Sequence, residues 1–276
     1  MRLSLLDAAL LGVLQGLTEF LPVSSTAHLL LGEQFLGFAD PGGAFTVMIQ
    51  LGSILAIMWL YREKIVRIIA DLPSRQEARQ FALAIVVATV PVLVAGALLS
   101  GFIRNVLYES PAVFAGAFIA GGIVMLVVER MRPRPAVVDA DRTPLGRALG
   151  VGLCQMLALI PGVSRSGATI VGGLVMGLDR PAAAEFSFFL AMPAMAAAFG
   201  HELLEAKDHL AAARAGEIAI GFVMAFIASV AVVRPFLAFV RRSGFSPFAW
   251  YRIAVGLLLL GALVSGWLPS GAGVAP

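Results

Sequence analysis

Charged residues are scarce in this chain. Asp, Glu, Lys and Arg make up 13% of its 276 residues, and 59% are hydrophobic. Its mean hydropathy is +0.92. A soluble domain typically carries about 25% charged and about 45–50% apolar residues. Several uncharged runs approach the length of about 20 residues that a bilayer core requires. The composition therefore excludes an ordinary soluble domain and indicates a polytopic membrane protein.

Cysteine is almost absent, which excludes a disulfide framework and a cysteine-based zinc site. The single Cys154 cannot form an internal disulfide, and no His/Cys pattern typical of a zinc site occurs.

The net charge is only +3, and the basic residues fall in a few short loops. Such loops report membrane orientation, so we expect no nucleic-acid partner. Asp7 and Glu19 interrupt the first apolar stretch, which therefore does not resemble a cleaved signal peptide.

Long apolar runs predict an all-α fold of ten helical segments. Six runs predict full transmembrane helices, at 45–61, 80–103, 111–128, 186–204, 217–240 and 247–267. Residues 5–37 and 147–178 are also apolar, but they contain prolines and intramembrane charges such as Glu19 and Arg165. Broken backbone and charge are tolerated at membrane depth only inside the protein or beside a polar cavity. We therefore predict that these two segments are re-entrant helical hairpins.

The basic loops predict an inverted repeat. Lys and Arg are concentrated in 62–79 and 130–147, and Arg241 and Arg242 follow the fifth span, so these parts should be cytoplasmic. The first hairpin then has both ends outside and the second has both ends inside. Gln15 and Gln155, 140 positions apart, begin similar segments. We predict one membrane domain, 1–276, made of inverted halves 1–128 and 147–268 with a cytoplasmic linker 129–146. Such repeats place their site near the midplane.

Each hairpin contains a proline followed by a hydroxyl-rich segment. These segments predict the start of a second half-helix, whose free N–H groups and partial positive charge attract phosphate or carboxylate. Arg165 adds a planar cation suited to phosphate oxygens. The expected anion-binding residues are Ser24, Thr26, Ser164, Ser166, Gly167 and Gln15.

Ser25 and His28 are spaced to share one face of a helix. A histidine there can act as a base for the serine hydroxyl or for water. Glu19 enters from the other arm of the hairpin, as a metal ligand, a proton carrier or a group that orients His28. A divalent cation would neutralise the charge of a bound phosphate group, but carboxylates are few, so the bound anion would mainly hold the cation. Polar residues in otherwise apolar spans could support the site or serve helix packing: Gln50, Glu185 and Ser187.

The motifs at 15–28 and 161–170 resemble the two signature motifs of the undecaprenyl-diphosphate phosphatase family, the bacitracin-resistance proteins. Segments 49–54, 185–188 and 245–252 extend the resemblance over essentially the whole chain. It implies hydrolysis of undecaprenyl diphosphate to the monophosphate and inorganic phosphate, which recycles the lipid carrier for peptidoglycan synthesis. It also implies a divalent cation, magnesium or calcium, and an active site that opens to the outer, periplasmic face of the bacterial inner membrane.

By motif position, the resemblance makes Glu19, Ser25, His28 and Arg165 the essential set. Gln15 stands where the family has Glu or Gln, which weakens a two-carboxylate metal site. Membrane lipid is the expected surrounding, and a homodimer is left open. The main alternative is a transporter or flippase that moves a phosphate-bearing lipid or anion through the same site. The Ser25–His28 pair favours chemistry, because transport needs no nucleophile.

Overall fold

Prolines, glycines and short turns divide the chain into helices. The computed structural model describes residues 5–40, 43–103, 107, 110–131, 134–206 and 214–266. These residues contain eleven α-helices and no β-strand. The helices are α1 (Leu5–Thr18), α2 (Ser25–Leu36), α3 (Ala44–Leu60), α4 (Arg62–Asp71), α5 (Gln76–Phe102), α6 (Pro111–Met131), α7 (Leu145–Gln155), α8 (Arg165–Val175), α9 (Arg180–Ala206), α10 (Ala215–Ser243) and α11 (Ser246–Val264).

Two pairs of short helices form the predicted hairpins. Helix α1 has 14 residues and α2 has 12, while α7 and α8 have 11 each. At about 1.5 Å per residue, none of them can cross a hydrocarbon core of about 30 Å. In each hairpin the chain breaks at the expected proline, Pro22 in one and Pro161 in the other. The structure thus confirms both hairpins.

Six helices correspond to the predicted spans: α3, α5, α6, α9, α10 and α11. Five of them are long and apolar enough to cross a membrane alone, and α3 qualifies together with α4. The chain is therefore an all-α, multi-pass membrane protein, as predicted.

Helix α4 is an addition to the ten predicted segments. It lies in the 62–79 stretch, which the sequence analysis treated as a basic loop, and it is bent by 68° from α3. Its Ile65 and Ile68 pack on the core, while Glu63 and Arg67 are exposed. An amphipathic helix of this kind suits a membrane interface. The charges of this segment obscured its apolar face.

The helices pack in equivalent pairs. Helix α1 lies against α10 as α7 lies against α5, while α10 and α5 also contact α3 and α9 respectively. Small residues permit the close approach: a Cβ on Gly12 would lie 2.3 Å from the Gly221 carbonyl oxygen, and one on Gly152 would lie 2.4 Å from that of Ala88. The two hairpins therefore pack on equivalent helices, the first hairpin on α10 and the second on α5. The boundaries of the two inverted halves and of the linker stay predictions, as does the side of the membrane on which each loop lies.

Candidate active site

The turns of the two hairpins meet each other. Ser166 Oγ donates a hydrogen bond of 2.7 Å to the Leu21 carbonyl oxygen. Buried Arg252 on α11 donates to carbonyl oxygens of both turns, Gly162 at 3.0 Å and Pro22 at 3.5 Å, and to that of Ala117 on α6 at 3.0 Å. The meeting of the hairpins brings the predicted residues of both motifs to one place.

Glu19 lies at the centre of the region where the two hairpin turns meet. Its Oε1 accepts a hydrogen bond of 2.8 Å from Arg165 Nη2. Its Oε2 accepts from Ser25 Oγ at 2.6 Å and from Gln15 Nε2 at 2.8 Å. Gln15 and Glu19 are one helical turn apart, which aligns their side chains. Only 7% of Glu19 is exposed, so its strong hydrogen bonds are sheltered from water. Glu19 is therefore placed to accept the Ser25 proton.

Ser24 gives the start of α2 an unusual backbone. Its φ is +71°, and no other non-glycine residue in the described part of the chain has a positive φ. Such a conformation costs about 1–3 kcal/mol and is concentrated at functional sites. The Ser24 side chain makes no capping hydrogen bond to α2. The first N–H groups of α2, beside half-buried Thr26, therefore remain available to an anion.

Helix α8 begins differently. Ser164 caps it by accepting a hydrogen bond of 3.0 Å from the Gly167 N–H, and Ser164 and Ser166 share another of 3.0 Å. The Gly167 N–H is therefore engaged in this structure. Arg165 follows this cap, and its side chain is 17% exposed. Its Nε and the Oε1 of Gln15 are buried without a partner among the described residues. These unpaired atoms leave hydrogen-bonding capacity for a ligand at this site.

His28 does not pair with Ser25 here, contrary to the sequence expectation. Its Nδ1 lies 2.8 Å from the Ser24 carbonyl oxygen, and its Nε2 lies 2.6 Å from the Tyr251 hydroxyl. Helical side chains point back toward the N-terminus, which explains the contact one turn earlier. Ser25 pairs with Glu19 instead.

The three supporting candidates occupy different places. Ser187 lies at the site: its carbonyl oxygen accepts from Arg165 Nη1 at 3.4 Å, and its hydroxyl shares a hydrogen bond of 2.6 Å with Thr169. Gln50 is half-buried on α3, and no side-chain hydrogen bond links it to other described residues. Glu185 belongs to another cluster, where it accepts from Lys64 Nζ at 2.8 Å.

Lys64 on α4 also pairs with Asp141 of the linker. Burial opposes its charged form, but the hydrogen bonds that the ammonium group donates to Asp141 and Glu185 outweigh that effect and raise its pKa. This cluster joins α4, the linker and α9, and no hydrogen bond or ion pair among the described residues connects it to Glu19.

The donor set does not suit a metal held by the protein. No cluster of three or more His, Cys, Asp or Glu residues able to hold a metal occurs in the described part of the chain. Glu19 is the one carboxylate of the site, and both of its oxygens already accept hydrogen bonds. Cation cages are normally built from several carboxylate or carbonyl oxygens.

Two residues that contact the hairpins, Tyr251 and Arg252, were not predicted from the sequence. Both lie in the 245–252 segment quoted for the family resemblance, and neither received a role there. A sequence signal existed for Arg252, because an arginine inside an apolar span needs buried partners. Tyr251 offered no comparable signal, since tyrosine is an ordinary residue near a membrane interface.

The chain is similar to known proteins over nearly its whole length. Residues 8–258 match the family described as bacitracin resistance protein BacA. A protein of Cereibacter sphaeroides named undecaprenyl-diphosphatase is 53% identical over 262 residues, which cover 95% of this chain and 98% of that protein. A protein of the same name from Paracoccus denitrificans is 52% identical over 94% of this chain and 97% of its own length. The undecaprenyl-diphosphatase 1 of Agrobacterium fabrum is 51% identical, with coverage of 95% and 97%.

Proposed function

Because this chain belongs to the bacitracin resistance protein family BacA, we propose that it is an undecaprenyl-diphosphate phosphatase. It hydrolyses undecaprenyl diphosphate to undecaprenyl phosphate and inorganic phosphate, and so recycles the lipid carrier used in peptidoglycan synthesis. The names of its relatives support the substrate. The observation that carries the chemistry is the hydrogen-bonded series Ser25–Glu19–Arg165. We place the protein in the bacterial inner membrane with its site open to the periplasmic face.

The diphosphate binds where the two hairpins meet. The open N-terminus of α2 and the Arg165 guanidinium supply donors and positive charge for the terminal phosphate. The prenyl tail stays among lipids beside the apolar helices. Phosphoryl transfer depends mainly on such positioning and electrostatic stabilisation, because its transition state disperses charge over the phosphate oxygens.

In the first half-reaction, Ser25 Oγ attacks the terminal phosphorus. Its proton passes to Glu19 Oε2, to which the hydroxyl already donates at 2.6 Å. The bond between the terminal phosphorus and the bridging oxygen breaks, and undecaprenyl phosphate leaves. The product is a phosphorylated Ser25 and a protonated Glu19.

In the second half-reaction, water attacks the phosphorus and the bond to Ser25 Oγ breaks. Glu19 returns its proton to Oγ, and both water protons leave on inorganic phosphate. The enzyme is thereby restored. The described contacts contain no observation that favours the transport alternative.

Phosphate release from undecaprenyl diphosphate by the purified protein in detergent tests this proposal. Wild type should release inorganic phosphate, and rapid quenching should trap the label of a radioactive terminal phosphate on Ser25. Ser25→Ala should abolish both signals, whereas Ser74→Ala, at an exposed site, should retain them. Full activity in Ser25→Ala would exclude Ser25 as the nucleophile. Absence of phosphate release from wild type across pH values and cations would refute the phosphatase function.

We further propose that a divalent cation, magnesium or calcium, arrives with the diphosphate and is not stored in a protein cage. Among the described residues of the site, Glu19 is the one carboxylate, and it already accepts hydrogen bonds from Gln15 and Arg165, which supports a cation held mainly by the substrate. Chelation should therefore stop phosphate release while the melting temperature of the substrate-free protein stays the same. A large fall in that melting temperature on chelation, reversed by magnesium, would reveal a structural metal site and contradict the proposal.

A further inference from the structure

Tyr251 on α11 lies against His28 of the first hairpin. The ring centroids are 5.7 Å apart and the planes differ by 11°. The tyrosine hydroxyl lies 2.6 Å from His28 Nε2. No step of the phosphoryl transfer described above uses either residue. The contact therefore calls for a separate explanation.

The hydrogen bonds define the protonation of the neutral imidazole ring. The Ser24 carbonyl oxygen can only accept, so the Nδ1 that lies 2.8 Å from it carries the hydrogen. Nε2 then bears the lone pair and accepts a hydrogen bond from the Tyr251 hydroxyl. The partner of one ring nitrogen sets the state of the other. Tyr251 consequently favours the tautomer that donates to Ser24.

The Ser24 carbonyl is a sensitive position. It belongs to the residue with φ +71° that directly precedes Ser25. The same oxygen accepts a long backbone hydrogen bond of 3.4 Å from the His28 N–H. The Nδ1–H bond is shorter, and it holds the peptide that joins Ser24 to Ser25. Its loss would free a strained turn to relax and would move the serine hydroxyl.

Helix α11 is fixed well enough to act as a reference point. Arg252, next to Tyr251, hydrogen-bonds to both hairpin turns. Gly122 lets α6 approach closely, since a Cβ there would lie 2.7 Å from the Ala249 carbonyl oxygen. Phe118 on α6 contacts both His28 and Arg252: its ring centroid lies 5.9 Å from that of His28 and 5.0 Å from the guanidinium carbon of Arg252. The Tyr251 hydroxyl, held on this rigid helix, can therefore fix the orientation of the His28 imidazole.

We propose that Tyr251 is a positioning residue, which holds His28 in the Nδ1–H tautomer so that His28 stabilises the strained Ser24 turn and orients Ser25. This inference rests on the proposed function for its kinetic consequence. Its structural part, the tautomer, does not depend on activity. His28 acts in this arrangement as a hydrogen-bond donor to the backbone.

Tyr251→Phe keeps the ring and removes the hydroxyl. We expect kcat for phosphate release to fall about tenfold with KM changed less than twofold, because a misplaced nucleophile slows chemistry more than binding. Trp250→Phe is the matched control, since Trp250 is an exposed aromatic neighbour and should retain wild-type kcat. In a His28→Gln background, where the amide N–H replaces the ring donor, Tyr251→Phe should change kcat less than twofold.

The tautomer is read directly by nitrogen-15 NMR of labelled histidine in nanodiscs. The chain has three histidines, and His201→Gln with His209→Gln leaves His28 as the single signal. We expect the Nδ1–H form in the parent and a substantial Nε2–H population after Tyr251→Phe. An unchanged tautomer, or kcat losses that multiply in the double variant, would overturn the inference. If no variant, wild type included, released phosphate, the proposed function would fail while the NMR comparison still decided the tautomer.

Discussion

At the scale of single residues, the Glu19 carboxylate connects Ser25, Gln15 and Arg165 through its hydrogen bonds. One buried carboxylate accepts hydrogen bonds from a hydroxyl, an amide and a guanidinium. The sequence alone is compatible with Glu19 as a metal ligand, a proton carrier or a group that orients His28. The 2.6 Å contact with Ser25 Oγ favours the proton carrier, and the distribution of its hydrogen bonds argues against a metal cage.

Glu19→Gln should lower kcat by about 10²- to 10⁴-fold, because an amide accepts the Ser25 hydrogen bond but takes up no proton. Steady-state phosphate release measures this loss, and the quenched protein should carry correspondingly less phosphorylated Ser25. Glu33→Gln makes the same change at a half-buried carboxyl bonded to Thr46, away from the site, and should stay within twofold of wild type. Wild-type kcat in Glu19→Gln would show that another group removes the proton.

At the scale of helices, glycine contacts set the position of the first hairpin. Helix α1 carries Gln15 and leads into Glu19, and it packs directly on α10. A Cβ on Gly16 would lie 2.4 Å from the Ala225 carbonyl oxygen and 2.7 Å from the Ala228 Cβ. Backbone atoms cannot yield as a flexible side chain can, so any side chain here would separate the helices.

Gly16→Ala should therefore destabilise the protein by about 1–3 kcal/mol, the usual range for overpacking. Thermal unfolding in detergent should show a clearly lower melting temperature, together with reduced phosphate release. Gly116→Ala on α6 is the control, because nothing lies within 4 Å of a Cβ there. Equal melting temperatures for the two variants would mean that α1 and α10 are packed more loosely than the structure indicates.

At the scale of the whole molecule, Arg252 joins the parts that form the site. Only 2% of this arginine is exposed, and its guanidinium reaches both hairpin turns and α6 from α11. A hydrogen bond to a charged group contributes about 1.5–3 kcal/mol, and buried carbonyls left without a donor are costly. Arg252 thus ties the two hairpin turns together at the point where we propose that the phosphate binds.

Arg252→Met should lower the free energy of unfolding by about 3 kcal/mol, since it removes charged donors from three carbonyl oxygens. We expect denaturation in mixed micelles to report the loss, and phosphate release to fall with it. Arg252→Lys should be intermediate, because a point charge replaces the planar fork. Arg242→Met, at an exposed position, should leave both quantities near wild type. Unchanged stability in Arg252→Met would disprove the bridging role.

The sequence alone was sufficient for the membrane class, the six spans and the positions of both hairpins. These features follow from run length, proline and charge, which act locally against a bilayer of given thickness. Only the tertiary structure decided the partners within the site. Ser25 faces Glu19 and His28 faces Tyr251, which is 223 residues away in sequence. Periodicity shows which face a residue occupies, but the residue opposite depends on how distant helices pack, and no local pattern encodes that packing.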